Sequence, residues 1–287
     1  MDKVSVIIPF YNNKEWLEQA IESVEKQDYK PIEIIVINDG SSENINDIKS
    51  RHSNCIFLKK ENEGAASARN YGLNMSTGKY IAFLDSDDTW DKYKISKQLA
   101  KMLDENKDWS VCPYKTFGEI KKSRIVEPPE PCRHLYDILR NSCKVQTSTV
   151  LVKRDVLINN KIQFPVEMKK GQDVYVWYRL AQLSNYSKIE QPLANFRIRG
   201  NNSYKNISNQ IKARKIIWEK MNNKKDPLTL PTRKITTFSY KLCVKITNKF
   251  KRQLEKDNFV IKLIYALPWL LFRIDTALIK ITEKNEK

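Results

Sequence analysis

Three carboxylates within four residues, Asp85-Ser86-Asp87-Asp88, form the strongest chemical signal in this chain; we call Asp85, Asp87 and Asp88 the acidic cluster. They follow residues 80–84, an apolar run typical of a buried strand, so they would stand together where that strand ends. Carboxylates this close repel one another unless a cation or a buried partner neutralises them. Oxygen ligands of this kind suit Mg²⁺ or Mn²⁺, which take further ligands from phosphates. The cluster therefore predicts a metal and phosphate site, and the alternative is a solvated acidic turn that caps the next helix.

Other schemes for binding calcium or nucleotides are excluded by the residues at their key positions. An EF-hand would need Gly where Trp90 stands and Glu where Ser96 stands. Residues 72–80 resemble a P-loop, but five residues separate the glycines, and Tyr80 replaces the Ser or Thr that would bind Mg²⁺. No G-x-G-x-x-G motif is present in the sequence. A nucleotide would therefore be bound without a Walker or dinucleotide fingerprint.

The elements that would position the acidic cluster alternate along the first hundred residues. Strands are predicted at residues 4–9, 32–38, 55–58 and 80–84, with helices at residues 15–27 and 64–75 between them. This alternation favours a doubly wound α/β sheet, in which ligands bind beyond the carboxyl ends of the strands. Asp39 and the acidic cluster both fall at such ends.

Further along, the pattern becomes less regular and then basic. Residues 147–152 and 193–198 predict strands, residues 171–183 predict a helix, and residues 113–145 show no clear period. The formal net charge is +17, and residues 205–287 hold 20 Lys and Arg against seven Asp and Glu. A basic region of this kind predicts contact with an anionic partner, either a membrane surface or a nucleic acid. The alternative is a general lysine bias in composition.

Four segments together resemble the family 2 glycosyltransferases of GT-A fold. They are residues 4–12 (VSVIIPFYN), 35–42 (IVINDGSS), 62–70 (NEGAASARN) and 82–88 (AFLDSDD). These enzymes are inverting, use nucleotide sugars and assemble bacterial surface polysaccharides. The resemblance is close over residues 3–100 and weaker to about residue 203.

The resemblance implies an α/β chain of GT-A fold, with a Rossmann-like, mostly parallel sheet and flanking helices, followed by a basic α-helical C-terminal extension. It implies a catalytic domain at residues 1–204, in which residues 1–100 bind the nucleotide sugar and residues 101–204 face the acceptor. Residues 205–287 would form the basic helical region.

On the donor side, the resemblance implies one role for each matching residue. Pro9 and Tyr11 would line the nucleotide base, and Asp39 would hydrogen-bond the uracil ring of a UDP-sugar. Arg69 would lie beside the diphosphate, and Asp85 would lie near the ribose. These five positions would form the nucleotide-sugar site.

The resemblance also implies a divalent cation, Mn²⁺ or Mg²⁺. Asp87 matches the metal-binding position of the family's DxD element, and Asp88 would be a further ligand. The family often has an aromatic-Arg-x-His pattern whose His completes the metal shell, but residues 196–203 read FRIRGNNS and place Arg199 there. Arginine does not ligate metals, but it neutralises phosphate in a bidentate manner, so Arg199 is predicted to bind the donor.

Residues 171–180 (GQDVYVWYRL) resemble the segment that carries the catalytic base. Inversion by direct displacement needs a base that takes the proton of the acceptor hydroxyl, and Asp173 is the candidate. Gln172 stands where the family usually has Glu, so Asp173 is the only carboxylate of this pair. The alternative is an Asp stabilised by the dipole at a helix N-terminus.

The C-terminal segment at residues 259–281 is apolar but is interrupted by charges. Its longest uncharged run, residues 263–272, has ten residues, whereas a bilayer span needs about 20. The segment therefore predicts an amphipathic helix at an anionic membrane surface, and the alternative is a helix packed on the protein's own core.

Together these observations predict a hexosyltransferase or related glycosyltransferase. It would move a sugar from a UDP-sugar to a hydroxyl of a lipid-linked glycan, at the cytoplasmic face of the cell membrane. No secretory signal is evident, and the five scattered cysteines suggest reduced thiols. The alternative is a catalytically silent protein of the same fold that binds a nucleotide sugar or a glycan. No nucleic-acid recognition module is recognisable, so nucleic acid is not an expected partner.

Overall fold

The computed structural model describes residues 1–141, 143–168, 170–199, 207–221, 233–250 and 259–285. The chain divides into two compact units. The first comprises Met1–Pro131, Lys144–Val166 and Ser184–Gly200; the second comprises Cys132–Cys143, Glu167–Leu183 and Asn201–Lys287. Both are discontinuous in sequence, so they differ from the predicted division at residue 204, which stays a prediction.

The first unit contains a seven-stranded sheet and a smaller four-stranded sheet. The strands of both sheets, in chain order, are β1 (Val4–Phe10), β2 (Ile32–Asp39), β3 (Ile56–Lys60), β4 (Tyr80–Phe83), β5 (Thr89–Trp90), β6 (Trp109–Val111), β7 (Tyr114–Gly118), β8 (Ile125–Val126), β9 (Val150–Lys153), β10 (Ser187–Lys188) and β11 (Ala194–Ile198). The large sheet has the order β10-β6-β9-β4-β1-β2-β3, and the small one has the order β5-β11-β7-β8. In the large sheet only β9 runs antiparallel to its neighbours, β4 and β6. The sheet is therefore mostly parallel, as predicted.

Helices flank the sheet of the first unit and make up most of the second unit's described part. The helices are α1 (Lys14–Glu25), α2 (Asn46–Arg51), α3 (Ala65–Met75), α4 (Lys94–Asp104), α5 (Leu135–Asn141), α6 (Arg154–Asn159), α7 (Gln172–Leu183), α8 (Ile207–Met221), α9 (Lys234–Lys249) and α10 (Phe259–Asn285). Helices α5 and α7 to α10 belong to the second unit. This confirms the predicted α/β fold with a helical C-terminal extension.

The core of the first unit follows from the hydrophobic pattern. All seven residues of β1 are buried, because the strand lies in the middle of the sheet and helices cover both faces. Helix α3 lies close to β1 because residue 72 is glycine: a Cβ there would come within 2.5 Å of Ile7 Cγ2. This close packing matters for the site, since α3 carries Arg69.

The later strands differ from the prediction in two places. Residues 147–152 were expected to form one strand, but β9 begins only at Val150, because Thr147–Thr149 forms a 3₁₀ turn in which the backbone N and the hydroxyl of Thr149 both donate to the Gln146 carbonyl. Strand β11 forms at residues 194–198 as expected, but it belongs to the small sheet. Residues 113–145, which showed no period, contain β7, β8 and α5.

The helix predicted at residues 259–281 forms as part of α10, which buries Tyr265, Phe272 and Ile279. No helix within the described ranges combines the length with the apolar character that crossing a bilayer requires. The predicted basic region also includes residues that fall outside the described ones, namely 205–206, 222–232, 251–258 and 286–287.

Candidate functional site

The carboxyl ends of three parallel strands define the edge where the candidate residues of the first unit lie. Strand β1 pairs in parallel with both β2 and β4. Tyr11 follows β1, Asp39 ends β2, and Asp85 comes just after β4. The sequence therefore brings the predicted donor residues to one edge of the sheet, where open α/β sheets bind their ligands.

Asp39 is buried and holds the loop from which α3 begins. Its Oδ1 accepts hydrogen bonds from Lys60 Nζ at 3.0 Å and from the Glu63 backbone N at 3.2 Å. Its Oδ2 accepts one from the Gly64 backbone N at 2.8 Å. Gly64 has a φ of +93° and precedes the first turn of α3, so this carboxylate fixes the start of the helix that carries Arg69. The predicted contact of Asp39 with uracil stays a prediction.

Arg69 pairs with the first carboxylate of the acidic cluster. Its Nη2 lies 2.5 Å from Asp85 Oδ1, and its guanidinium lies 5.2 Å from the ring centre of Phe164. The Arg69 side chain is 9% exposed and that of Asp85 is 25% exposed, so the pair is largely shielded from solvent but reachable through Asp85. A guanidinium held this way is preorganised for a second anion.

Asp88 is wholly buried, and both of its carboxylate oxygens accept hydrogen bonds. The Ser148 hydroxyl donates to Oδ2 at 2.7 Å, and the Arg197 backbone N donates to Oδ1 at 2.9 Å. Burial, together with the charges of Asp87 and Asp85, raises the pKa of Asp88 well above its usual value. This carboxylate is held inside the protein and stabilises the turn that carries the other two.

Asp87 pairs with Arg199 at the exposed side of the turn. Arg199 Nη2 lies 2.6 Å from Asp87 Oδ2, and the two side chains are 37% and 13% exposed. Burial and the neighbouring Asp85 raise the pKa of Asp87, whereas Arg199 lowers it. On balance the pKa of Asp87 is raised, and the ion pair with Arg199 offsets part of the cost of burying its charge.

Arg197 and Ser148 are two residues of the site that the sequence reasoning did not assign. Arg197 Nε donates to the Asp87 backbone carbonyl at 2.7 Å, and its guanidinium stacks 4.3 Å from the ring centre of Phe117. The Ser148 hydroxyl, besides its bond to Asp88, accepts a hydrogen bond from the Asp85 backbone N at 3.1 Å. Together they fix both ends of the acidic turn. The aromatic-Arg pattern at residues 196–197 was the available signal for Arg197; Ser148 had none.

The acidic cluster does not fit a divalent cation as it stands. Asp85 and Asp87 each hold an arginine through one oxygen, and both oxygens of Asp88 are occupied by Ser148 and the backbone. Throughout the residues that the structure describes, no three Asp, Glu, His or Cys side chains converge where an ion could be held. The predicted Mn²⁺ or Mg²⁺ at Asp87 and Asp88 stays a prediction.

The remaining donor candidates differ in exposure. Pro9 is buried inside β1 opposite Ile37, whereas Tyr11, which follows the strand, is 52% exposed. The Tyr11 ring is therefore available to a planar ligand at this edge, whereas the Pro9 side chain is buried. Their predicted contacts with a nucleotide base stay predictions.

Asp173 lies in the second unit, in the first turn of α7. Gly171, with a φ of +72°, precedes the helix and lets the chain turn into it. Asp173 is partly buried, in the helical turn where acidic residues are generally favoured. Gln172 next to it bonds the Met168 carbonyl and adds no charge. Asp173's role as a base stays a prediction.

Comparison with known proteins gives a consistent set of relatives. Residues 5–152 match the family model described as "Glycosyl transferase family 2". The chain is 32% identical over 224 residues to the putative teichuronic acid biosynthesis glycosyltransferase TuaG of Bacillus subtilis, which covers 75% of this chain and 85% of TuaG. It is 36% identical over 183 residues to WfaP of Escherichia coli, named UDP-Glc:alpha-D-GlcNAc-diphosphoundecaprenol beta-1,3-glucosyltransferase, covering 63% of this chain and 70% of WfaP.

Other relatives are longer than this chain. An uncharacterized glycosyltransferase of Rickettsia bellii is 36% identical over 205 residues, which cover 70% of this chain but only 29% of that protein. The matches to this protein and to its relatives from Rickettsia felis and Rickettsia conorii each span about a third of the relative's length.

Solved structures show the same fold at low sequence identity. S. aureus TarS 1-349 in complex with UDP-GlcNAc matches with a TM-score of 0.67 and 19% identity, over 93% of this chain and 79% of that one. The mannosyltransferase PcManGT from Pyrobaculum calidifontis, in complex with GDP-Man and Mn²⁺, matches with a TM-score of 0.59 and 16% identity, over 98% and 79%. These likenesses establish the GT-A fold.

Proposed function

This chain belongs to glycosyl transferase family 2, and we propose that it is an inverting glycosyltransferase that moves a sugar from a UDP-sugar to a hydroxyl of a glycan acceptor. The observation that carries this proposal is the pairing of Arg69 with Asp85 and of Arg199 with Asp87 at the carboxyl edge of the sheet. Each pair places a guanidinium beside a partly exposed carboxylate. The carboxylate of Asp85 could then bind the ribose while the arginines bind the diphosphate.

The donor would lie along this edge from Tyr11 to the acidic cluster. The exposed Tyr11 ring offers a stacking surface for uracil, while Asp39 positions the loop in front of α3. Arg69 and Arg199 would bind the two phosphates. The preference for a UDP-sugar draws support from WfaP, whose name includes UDP-Glc, and from TarS, which was solved with UDP-GlcNAc.

The reaction would be a single displacement at the anomeric carbon. The acceptor oxygen forms a bond to C1 of the sugar as the bond from C1 to the diphosphate oxygen breaks, and that electron pair stays on the departing UDP. The acceptor proton passes to the carboxylate of Asp173, the proposed base. Because attack and departure occur on opposite faces of C1, the anomeric configuration inverts.

The metal is the part of this mechanism that the site supports least. A structural relative, PcManGT, was solved with Mn²⁺, and the resemblance implies Mn²⁺ or Mg²⁺ at Asp87 and Asp88. Arg199 holds one oxygen of Asp87 and hydrogen bonds hold both oxygens of Asp88, so of these two carboxylates only the second Asp87 oxygen is left for an ion. Charge on the departing UDP is therefore assigned to arginines in this proposal.

The proposed acceptor is a lipid-linked glycan at the cytoplasmic face of the membrane. WfaP carries diphosphoundecaprenol in its name, and TuaG carries teichuronic acid biosynthesis. The C-terminal helices offer a surface that suits such an acceptor. Helix α10 exposes an apolar stripe with three- and four-residue spacing: Leu267, Leu270, Ile274, Leu278 and Ile281. Peripheral binding to an anionic leaflet would hold the enzyme where the acceptor is.

The function is tested by the release of UDP from purified protein incubated with a panel of UDP-sugars. We expect slow hydrolysis of one donor, lost in Asp87→Asn and in Asp173→Asn, because the first weakens the hold on Arg199 and the second removes the base. Asp108→Asn is the matched control, since Asp108 pairs with Lys153 at the surface. A catalytically silent binder would instead show a thermal shift with UDP but no release with any donor, even when lipid-linked acceptors are added.

A further inference from the structure

Taking the proposed function as its premise, we propose that Arg69 and Arg199 replace the divalent cation in this enzyme, so that it binds and cleaves its donor without a metal. Both guanidiniums would contact the diphosphate directly. Its basis is the contacts of the acidic cluster: a guanidinium already holds one oxygen of Asp87, and hydrogen bonds hold both oxygens of Asp88.

Arg199 stands at the position where the resemblance puts a metal-binding histidine. Its side chain is positively charged, so it cannot serve as a metal ligand. A histidine would add a neutral ligand to a cation, whereas Arg199 brings the positive charge itself, 2.6 Å from Asp87 Oδ2. A divalent ion bound to Asp87 would have to displace this guanidinium or lie beside it on the same carboxylate. Two cations on one carboxylate repel each other strongly in a partly buried site.

The Arg199 side chain is placed to reach a ligand while it keeps Asp87. It follows directly after β11, is 37% exposed, and lies 5.5 Å from the ring centre of Trp16. A guanidinium has five N–H donors in a rigid fork, so one edge can hold a carboxylate while the other holds a phosphate. The ring of Trp16 limits where the guanidinium can go.

Arg69 provides the second positive charge from the other side of the cluster. It is buried between Asp85 and the ring of Phe164, on a helix whose start is fixed by Asp39. Its Nε is buried and has no hydrogen-bond partner among the described residues. Asp85 holds it in place, which lowers the cost of ordering it when a phosphate binds.

Two carboxylates of the acidic cluster are each paired with an arginine, Arg69 on Asp85 and Arg199 on Asp87. Arg197 adds a third guanidinium, which bonds the backbone of the turn. When the C1–oxygen bond breaks, negative charge develops on the leaving UDP, and guanidiniums already aimed at it stabilise that charge without reorganising. An additional divalent ion is not needed to neutralise the cluster.

The test measures UDP binding and donor hydrolysis by the full chain, after treatment with EDTA and again with added Mn²⁺. We expect wild type to bind UDP and to release it from its donor equally well in both conditions. Arg199→Ala should lose about 10²- to 10³-fold in the rate of UDP release, the range for removing one preorganised donor to the developing charge. Arg199→His should be slow in EDTA and should recover with Mn²⁺, because it restores a metal ligand beside Asp87.

A readout independent of activity is the retention of Mn²⁺, followed by electron paramagnetic resonance with UDP present and compared with UDP alone. Arg199→His should retain Mn²⁺ and wild type should not. The matched control is Arg154→His, which changes an arginine of the same unit whose Nε bonds Ser76 rather than the cluster. It should behave as wild type in every assay.

The outcomes separate this inference from the function on which it rests. Wild type that binds UDP only with Mn²⁺, or that retains Mn²⁺ with UDP, would overturn the metal-free inference and leave the glycosyltransferase intact. Arg199→Ala that keeps full activity would overturn it as well. Absence of UDP binding and of UDP release by wild type in both conditions would overturn the proposed function itself.

Discussion

Ser148 shows how one small side chain can hold the acidic turn together. Its hydroxyl accepts from the Asp85 backbone N and donates to Asp88, and its backbone carbonyl accepts from the Trp90 indole at 2.7 Å. The hydroxyl thus ties the two ends of the acidic turn to each other. Asp87 lies between Asp85 and Asp88 in the chain. Its position therefore depends on the two hydrogen bonds of the Ser148 hydroxyl, although neither of them is made to Asp87.

We expect Ser148→Ala to destabilise the first unit by about 1–3 kcal/mol, because a wholly buried carboxylate loses one of its two donors. The measurement is urea unfolding of the full chain, followed by the thermal shift that UDP produces. The matched control is Ser110→Ala: Ser110 is also wholly buried, but its hydroxyl has no hydrogen-bond partner within the described part of the chain. Ser110→Ala should be neutral or stabilising. Equal unfolding midpoints for the two variants would contradict this role of Ser148.

The residues that sequence alone could identify are those whose own neighbours in the chain carry the signal. Asp85, Asp87 and Asp88 were recognisable because they are adjacent and end an apolar run. Their partners come from far along the chain: Ser148 lies 60 residues after Asp88, and Arg197 lies 109 residues after it. No local period predicts such a contact. It exists because β9 and β11 are brought beside β4 and β5 by sheet pairing.

At the scale of elements, the same reasoning explains which strands and helices were predictable. The parallel strands β1 and β2 are continuous apolar runs and were predicted almost to the residue. The start of β9 was not, since local hydrogen bonds to Gln146 override the strand pattern at residues 147–149.

The charge at Asp275 is a second feature whose structural role the sequence did not predict. In the sequence it interrupts an apolar helix; in the structure it is wholly buried and accepts hydrogen bonds from Arg233 and Asn141, which ties α10 to α9 and α5.

Helix α4 contains a buried lysine that its amphipathic pattern does not predict. Lys94 is wholly buried, its Nζ lies 4.0 Å from the ring centre of Trp90, and it has no hydrogen-bond partner within the described residues. Burial lowers the pKa of Lys94 from its ordinary 10.5 to about 8. Because burial disfavours the charged form, Lys94 lowers the free energy of unfolding at pH values where the lysine is protonated in the unfolded chain.

We therefore expect Lys94→Met to raise the free energy of unfolding near neutral pH by an amount on the order of 3 kcal/mol, reduced by the lost contact with Trp90. The unfolded chain binds more protons than the folded one between pH 8 and pH 10.5, so the stability contributed at this site rises with pH over that window. The gain from Lys94→Met should be full below pH 8 and should vanish as the pH approaches 10.5.

The measurement is chemical unfolding of both proteins at a series of pH values. Lys101→Met is the control on the same helix, because Lys101 only forms a surface ion pair with Glu105. A stability difference between Lys94→Met and wild type that does not change with pH would contradict the assigned cause.

At the scale of the whole molecule, the positive charge is concentrated on the helices that expose apolar surface. Helix α9 contains no Asp or Glu and exposes four lysines: Lys234, Lys241, Lys245 and Lys249. On α10, the cations Arg273 and Lys280 are exposed along one border of the apolar stripe, and Arg273 lies 4.8 Å from the ring centre of Trp269. The one Asp of α10, Asp275, is buried. This surface combines exposed apolar side chains with neighbouring cations and has few exposed acidic residues. Such a combination suits the surface of an anionic lipid membrane.

We expect the full chain to sediment with vesicles that contain anionic phospholipid and to remain in solution with purely zwitterionic ones, with binding weakened by salt because the lysine contribution is screened. The double variant Leu270→Glu with Ile274→Glu should lose binding, since it places carboxylates in the middle of the stripe, both at positions that are exposed and need no repacking. The matched control is Leu103→Glu, which adds the same charge at an exposed leucine of α4 in the first unit and should still bind. Binding that survives the double variant, or that is lost equally in Leu103→Glu, would mean that net charge rather than the α10 stripe holds the enzyme at the membrane.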